Sequence, residues 1–181
     1  MNRLLVTTLA SVCLVTSLNA YDNYAKYSIL YSVPSDLEAG NTTTLEMKSG
    51  YSLEAAMGFR LSDNFTLETQ YTYDTAKTKG TNVTVDVHSL FLNGVYNIKL
   101  DTKGMYPYIG GGLGTSSYSD KNDRDIVFAY QGFLGVSFDF DNNLQTFVEY
   151  KYKKFNDVQL DNISYENTDI NSIGMGIKTE F

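Results

Sequence analysis

From residue 21 onward, apolar and polar positions alternate with a period of two, the mark of strands whose two faces meet different surroundings. Between residues 51 and 61 the odd positions are Tyr51, Leu53, Ala55, Met57, Phe59 and Leu61, and the even ones are Ser52, Glu54, Ala56, Gly58 and Arg60. Ser62-Asp63-Asn64 then turns the chain, and Phe65, Leu67, Thr69, Tyr71 and Tyr73 face away from Thr66, Glu68, Gln70 and Thr72. Two such runs joined by a short polar link predict a hairpin. A second hairpin follows the same plan: the outer row of Phe128, Tyr130, Leu134, Val136, Phe138 and Phe140, a turn at Asp141-Asn142-Asn143, and a return through Leu144, Thr146, Val148, Tyr150 and Tyr152. The opposite face of that return carries Gln145, Phe147, Glu149, Lys151 and Lys153. The last strand sets Ile173, Met175, Ile177, Thr179 and Phe181 against Ser172, Gly174, Gly176, Lys178 and Glu180.

Three further strands complete the count: about 24–33, ending at Pro34, which cannot donate to a ladder, about 83–98, and a glycine-rich one at about 105–118. The 83–98 run breaks step, because Val83, Val85 and Val87 are odd while Leu90, Leu92, Tyr96 and Ile98 are even. A bulge near His88-Ser89 reconciles the two halves. The prediction is therefore eight strands, with short links at 62–64, 99–104 and 141–143 and long polar ones at 34–49, 74–82, 119–126 and 156–168. Alternating short turns and long loops predict an all-β fold, an eight-stranded antiparallel up-and-down transmembrane β-barrel. Pairing of the first and last strands leaves no open edge.

A soluble ligand-binding barrel also alternates, so the direction of the apolar face needs separate support. The polar face carries Glu54, Arg60, Glu68, Glu149, Lys151 and Lys178, mixed in sign, which can pair across a lumen that eight strands leave just wide enough to fill with side chains. Aromatic residues gather toward strand ends, at Tyr71 and Tyr73, Tyr150 and Tyr152, and Tyr106 and Tyr108, where membrane girdles belong. The mean hydropathy of -0.24 then reflects an average over a lipid-facing row, a polar interior and polar loops. Residues 1–20 have the layout of a secretory signal peptide, with Arg3 ahead of an apolar run and Asn19-Ala20 at its end; residues 21–181 form the barrel domain. Val12 before Cys13 does not suit a lipoprotein. Loss of Arg3 leaves the exported chain one unit more acidic than the formal -7 and without cysteine, so no disulfide holds it. The acidic balance argues against a nucleic-acid partner.

The segment Tyr106-Pro107-Tyr108-Ile109-Gly110-Gly111-Gly112-Leu113-Gly114 resembles the motif of small OmpA-like and opacity-type outer-membrane barrels. The terminal strand, with Ile177 and Phe181, is similar to the signal read by the barrel assembly machinery. The resemblance implies insertion in outer-membrane lipid of a Gram-negative cell and a structural or surface-interaction role, adhesin-like, through loops that meet an extracellular ligand. It spans 21–181 without the peptidoglycan-binding domain of full OmpA. A narrow pore for small solutes is the alternative.

Enzymatic chemistry finds little support. His88 is the only histidine, and the lipid A deacylase pattern wants Ser two residues on, where Leu90 stands; Asp86 could orient His88, but no serine completes the set. Asp120 to Asp125 lacks the glycine and distal Glu of an EF-hand loop, and Arg124 occupies a ligand position. Gly110 to Gly114 precedes no Lys-Ser/Thr pair, so it is not a phosphate loop; its glycines are expected to admit bulky neighbours inside the lumen. No cofactor is expected.

Overall fold

The computed structural model describes residues 23–39, 43–79, 84–100, 104–119, 124–141, 143–156, 158–160, 163–165 and 168–181. The signal-peptide segment with Cys13, and residues 120–123 of the acidic loop, lie outside the described residues. The strands run in order as β1 (Asn23–Pro34), β2 (Leu37–Ala39), β3 (Thr43–Leu45), β4 (Gly50–Arg60), β5 (Phe65–Lys77) and β6 (Thr84–Asn97). They continue as β7 (Met105–Ser119), β8 (Arg124–Asp141), β9 (Leu144–Phe155), β10 (Val158–Leu160), β11 (Ile163–Tyr165) and β12 (Asp169–Glu180). Eight of these close into an antiparallel barrel in the order β1-β12-β9-β8-β7-β6-β5-β4. The closing seam runs from Tyr24 opposite Glu180 to Pro34 opposite Ile170. The remaining four form two small hairpins, β2 with β3 and β10 with β11, inside two of the long connections.

Alternation decides which row of each strand faces in. On β1, Tyr24, Lys26, Leu30 and Ser32 are buried while Tyr27, Ile29, Tyr31 and Val33 are exposed. The same exposed apolar row continues around the wall through Leu53, Leu92, Leu113, Leu134 and Ile173. The interior holds lysines and carboxylates. A water-soluble chain rarely exposes a continuous apolar surface of this extent. In a bilayer the same surface is favourable, and barrel closure satisfies the backbone groups that hydrocarbon cannot.

The two ends of the barrel differ. Short turns lie at one: Leu61 and Ser62 N–H groups both reach Phe65 O, at 2.9 and 3.1 Å, and Gly104 takes a positive φ of 77° that suits glycine. Phe181 N–H donates to Asn23 O at the same end, 3.0 Å away. The long connections leave from the other end, which is the extracellular one in barrels of this type.

Several expectations change in detail. β6 pairs with β5 residue for residue, with Tyr73 opposite His88 and Thr72 opposite Ser89, so the bulge near His88-Ser89 does not occur. Val87, Ser89, Phe91, Asn93 and Val95 all point inward; Val85 and Val87 broke step because the upper lumen is itself apolar, and Val83 lies outside the described residues. The register shift lies instead between Asp139 and Asp141, beside the last short turn. Strands also extend farther toward the long loops than the alternation predicted, β5 to Lys77 and β8 from Arg124. Tyr108 is not a girdle residue: it is 7% exposed and points into the lumen.

The glycine-rich strand behaves as expected. A Cβ on Gly110 would fall 2.4 Å from the ring of Phe133, one on Gly112 2.0 Å from Asn93 Oδ1, and one on Gly114 2.7 Å from the ring of Phe91. These three inward positions are hollows into which large lumenal side chains of β6 and β8 fold.

Candidate functional site

The lumen is the most elaborate part of the molecule. Its centre is an ion-pair cluster built from β1, β4, β5 and β9. Lys151 Nζ lies 2.7 Å from Glu54 Oε2 and 3.1 Å from Glu149 Oε1, and it donates to Gln70 Oε1 at 3.2 Å. Lys26 Nζ meets Glu149 Oε2 at 2.5 Å, and Tyr108 OH donates to the same oxygen at 2.8 Å. Toward the extracellular end, Lys153 Nζ is 2.6 Å from Asp74 Oδ1 and 3.8 Å from Glu54 Oε1. Ser52 donates to Asp74, and a hydroxyl chain continues to Ser32 and Ser172. Lys151 and Lys153 are fully buried, and ions so far from water persist only when paired.

Amides brace the carboxylates. Asn93 Nδ2 donates to Glu68 Oε1 and Gln70 Oε1, and Gln131 Nε2 donates to Gln70 Oε1 and Asn93 Oδ1, all within 2.7–3.1 Å. Glu68 also accepts from Tyr24 OH at 2.9 Å. An apolar layer lies on each side of this polar centre. Val95, Tyr108, Phe133 and Phe147 form the periplasmic one, with Lys26 Nζ 4.6 Å above the Phe147 ring, an attractive placement for a cation. Val87, Phe91, Tyr118, Val127, Ala129, Phe155 and Ile170 form the extracellular one. Above it opens a recess of about 450 Å³, part of it open to solvent, lined by Pro34, Met47, Asp74, Val85, Tyr118 and Ile170 among others.

The six lumenal charges expected from the sequence therefore separate into two places. Glu54, Glu149 and Lys151 share the central cluster, with Glu68 beside it. Arg60 sits at the periplasmic rim and Lys178 just inside it over the Tyr24 ring, with Arg60 Nη2 3.3 Å and Lys178 Nζ 3.8 Å from Glu180 Oε1. The rim position of Arg60 limits what its ion pair contributes. Both Arg60 and Glu180 side chains are 35% exposed, and partly exposed pairs contribute only ~0.2–1 kcal/mol. Arg60→Ala is expected to leave the unfolding midpoint in detergent within a few degrees of wild type, as scanning calorimetry would show.

The site set assembled from sequence lacked Lys26, Lys153 and Asp74. Lys26 carried a usable signal: the apolar row Tyr27, Ile29, Tyr31 and Val33 fixes the outward face, so Lys26 must point inward. Lys153 lay on the expected polar face. Asp74 stood where alternation faded into a loop. Ile177 and Phe181 both lie on the exposed outer face, 46% and 67% exposed. His88 faces outward, with Nδ1 2.7 Å from Tyr71 OH. Among the described residues no group of His, Cys, Asp and Glu is arranged to hold a metal.

The family model for surface antigens matches residues 62–179, most of the barrel. This chain belongs to the surface antigen family. The fold of this surface antigen is shared with Neisserial surface protein A (NspA), 16% identical over 88% of this chain and 97% of that one, TM-score 0.66. It is shared also with the outer membrane protein OprG of Pseudomonas aeruginosa, 14% identical over 88% and 96%, TM-score 0.56. A third likeness is Ail of Yersinia pestis, solved in complex with the heparin analogue sucrose octasulfate, 11% identical over 88% and 98%, TM-score 0.52. No curated protein matches the sequence. With its apolar outer wall and filled, charged interior, the surface antigen is a membrane-spanning β-barrel of the outer-membrane type.

Proposed function

We propose that this surface antigen works by contact at its extracellular end, as an adhesin-like interaction protein, and not by conduction. The observation that carries this reading is the closed lumen: two apolar layers enclose an ion-pair cluster whose lysines are fully buried. A barrel filled in this way has its recognition surface in the connections that leave it. Two of those connections contain hairpins of their own, Leu37–Ala39 with Thr43–Leu45 and Val158–Leu160 with Ile163–Tyr165. The connections 35–49, 78–83, 120–123 and 156–168 hold eight acidic against three basic residues. That balance favours a neutral or cationic partner surface over a polyanion of the kind bound to Ail. The C-terminal strand, with Ile177 and Phe181 outward, supports delivery by the barrel assembly machinery into outer-membrane lipid.

The test is a display experiment. Cells exporting the protein are expected to adhere to amine-coated surfaces more than cells without it, and to heparin-coated ones no more. Exchanging both hairpins for tight turns should abolish the gain while the barrel keeps its heat-modifiable gel mobility. Adhesion that survives the exchange would overturn the reading.

A further inference from the structure

The lipid-facing wall contains a polar notch at its extracellular edge that neither the lumen nor the loops explain. Across four neighbouring strands, one register row reads Tyr73, His88, Ser117 and Ile126, and the row below it reads Tyr71, Leu90, Thr115 and Phe128. On β6 the outward residues change from Leu92 and Leu90 to His88 and Asp86, and on β7 from Ile109 and Leu113 to Thr115 and Ser117. The adjacent strand stays apolar at the same height, with Phe128 46% and Ile126 58% exposed. The apolar belt is thus indented over β6 and β7, between two tyrosines and two large hydrophobic residues; β12 shows a smaller polar step, where Asn171 accepts from Tyr150 OH at 2.6 Å.

The notch is organised by hydrogen bonds. Tyr71 OH lies 2.7 Å from His88 Nδ1; with the phenol as donor, the imidazole keeps its proton on Nε2. Tyr73 OH donates to Asp86 Oδ1 at 2.9 Å, and the Tyr73 ring lies 5.0 Å from that of His88. Tucked against the sheet beside them, Ser117 Oγ has no hydrogen-bond partner. The outward face therefore combines a ring N–H, a carboxylate, the Thr115 hydroxyl and aromatic rings, directly above the apolar Leu90, Leu92 and Leu113.

We propose that this notch seats the sugar head of one outer-leaflet glycolipid. The Asp86 carboxylate accepts from sugar hydroxyls and repels phosphate. The imidazole N–H donates to a hydroxyl or ring oxygen, and the tyrosine rings cover the sugar's apolar C–H face. The acyl chains run down the wall over Leu90, Leu92 and Leu113, continuous with the lipid contact of the rest of the belt. A polar indentation confined to the head-group level fits an amphiphile whose head hydrogen-bonds sideways; a uniform girdle would suffice for lipid in general.

The test uses nanodiscs holding lipid A and phosphatidylethanolamine, transfer into a sugar-free polyoxyethylene detergent, and native mass spectrometry of the intact barrel. Wild type is expected to retain one lipid A per barrel, and the double variant Asp86→Val, His88→Leu to retain about tenfold less. Both changes face lipid, and gel mobility checks that the barrel has formed; Thr115→Leu, expected to lower retention about threefold, serves if the double variant does not fold. Lipid A stripped of its phosphates should be held within about twofold of the intact form. Equal retention by wild type and variants, loss of retention with the phosphates, or preferential retention of phosphatidylethanolamine would each overturn the proposal.

Discussion

Replacing Lys151 with methionine is expected to destabilise the barrel more than any other single change to its charges. The ammonium contacts Glu54, Glu149 and Gln70 at 2.7, 3.1 and 3.2 Å, in a lumen where Lys151 and Glu149 have almost no exposed surface. Methionine fills similar volume, so little of the loss comes from packing. What remains is two carboxylates facing each other with Lys26 and Lys153 as their only nearby cations among the described residues. Removing one partner of a buried pair costs ~3–5 kcal/mol, against ~0.2–1 kcal/mol for the partly exposed Arg60 pair. Denaturant unfolding in detergent should show that contrast. Adding Glu54→Gln to the Lys151→Met background should recover part of the loss, because one stranded charge is removed and contacting sites are not additive. A Lys151→Met barrel as stable as wild type would mean that the lumen is wet and the ions hydrated.

The second large effect is steric. Gly112→Leu places a side chain where even a Cβ would lie 2.0 Å from Asn93 Oδ1 and 2.6 Å from Leu92 O. The Leu92 oxygen is backbone and cannot step aside. Asn93 could move only by breaking its bonds to Glu68 and Gln70 and the one it accepts from Gln131. Overpacking alone costs ~1–3 kcal/mol, and each broken buried hydrogen bond adds ~1–3 kcal/mol. The variant is expected to lose the compact, fast-migrating form on unboiled gels. Gly132→Ala, where an added Cβ meets nothing within 4 Å, should migrate as wild type.

Strand number, barrel closure and the outward direction of the apolar face were legible because period-two alternation reports on two unlike solvents at once. Its blind spots have the same origin. Near the extracellular end the lumen turns apolar, so Val85 and Val87 no longer differ in kind from outward residues, and a straight strand reads as bulged. Near the periplasmic end the lumen opens to water, so Arg60 looks like a core charge although it sits on a rim, outside the more buried Lys178. Tyr108 shows a third case: a phenol is equally at home in a girdle or donating to the buried Glu149, and only the register of β7 tells which. The notch around His88 was out of reach for another reason. It is made by residues in pairs on β5, β6 and β7 brought into line across the three strands, and pairing register is not written in any one strand.

Planar-bilayer recording of the purified barrel tests the central claim most directly. On the proposed reading, two apolar layers and a buried ion-pair cluster fill the lumen, so wild type should show no defined single-channel steps, whereas Lys151→Met should conduct intermittently as its cluster loosens. Regular, uniform steps from wild type, unaltered in Lys151→Met, would contradict a filled lumen and assign the protein to the pores.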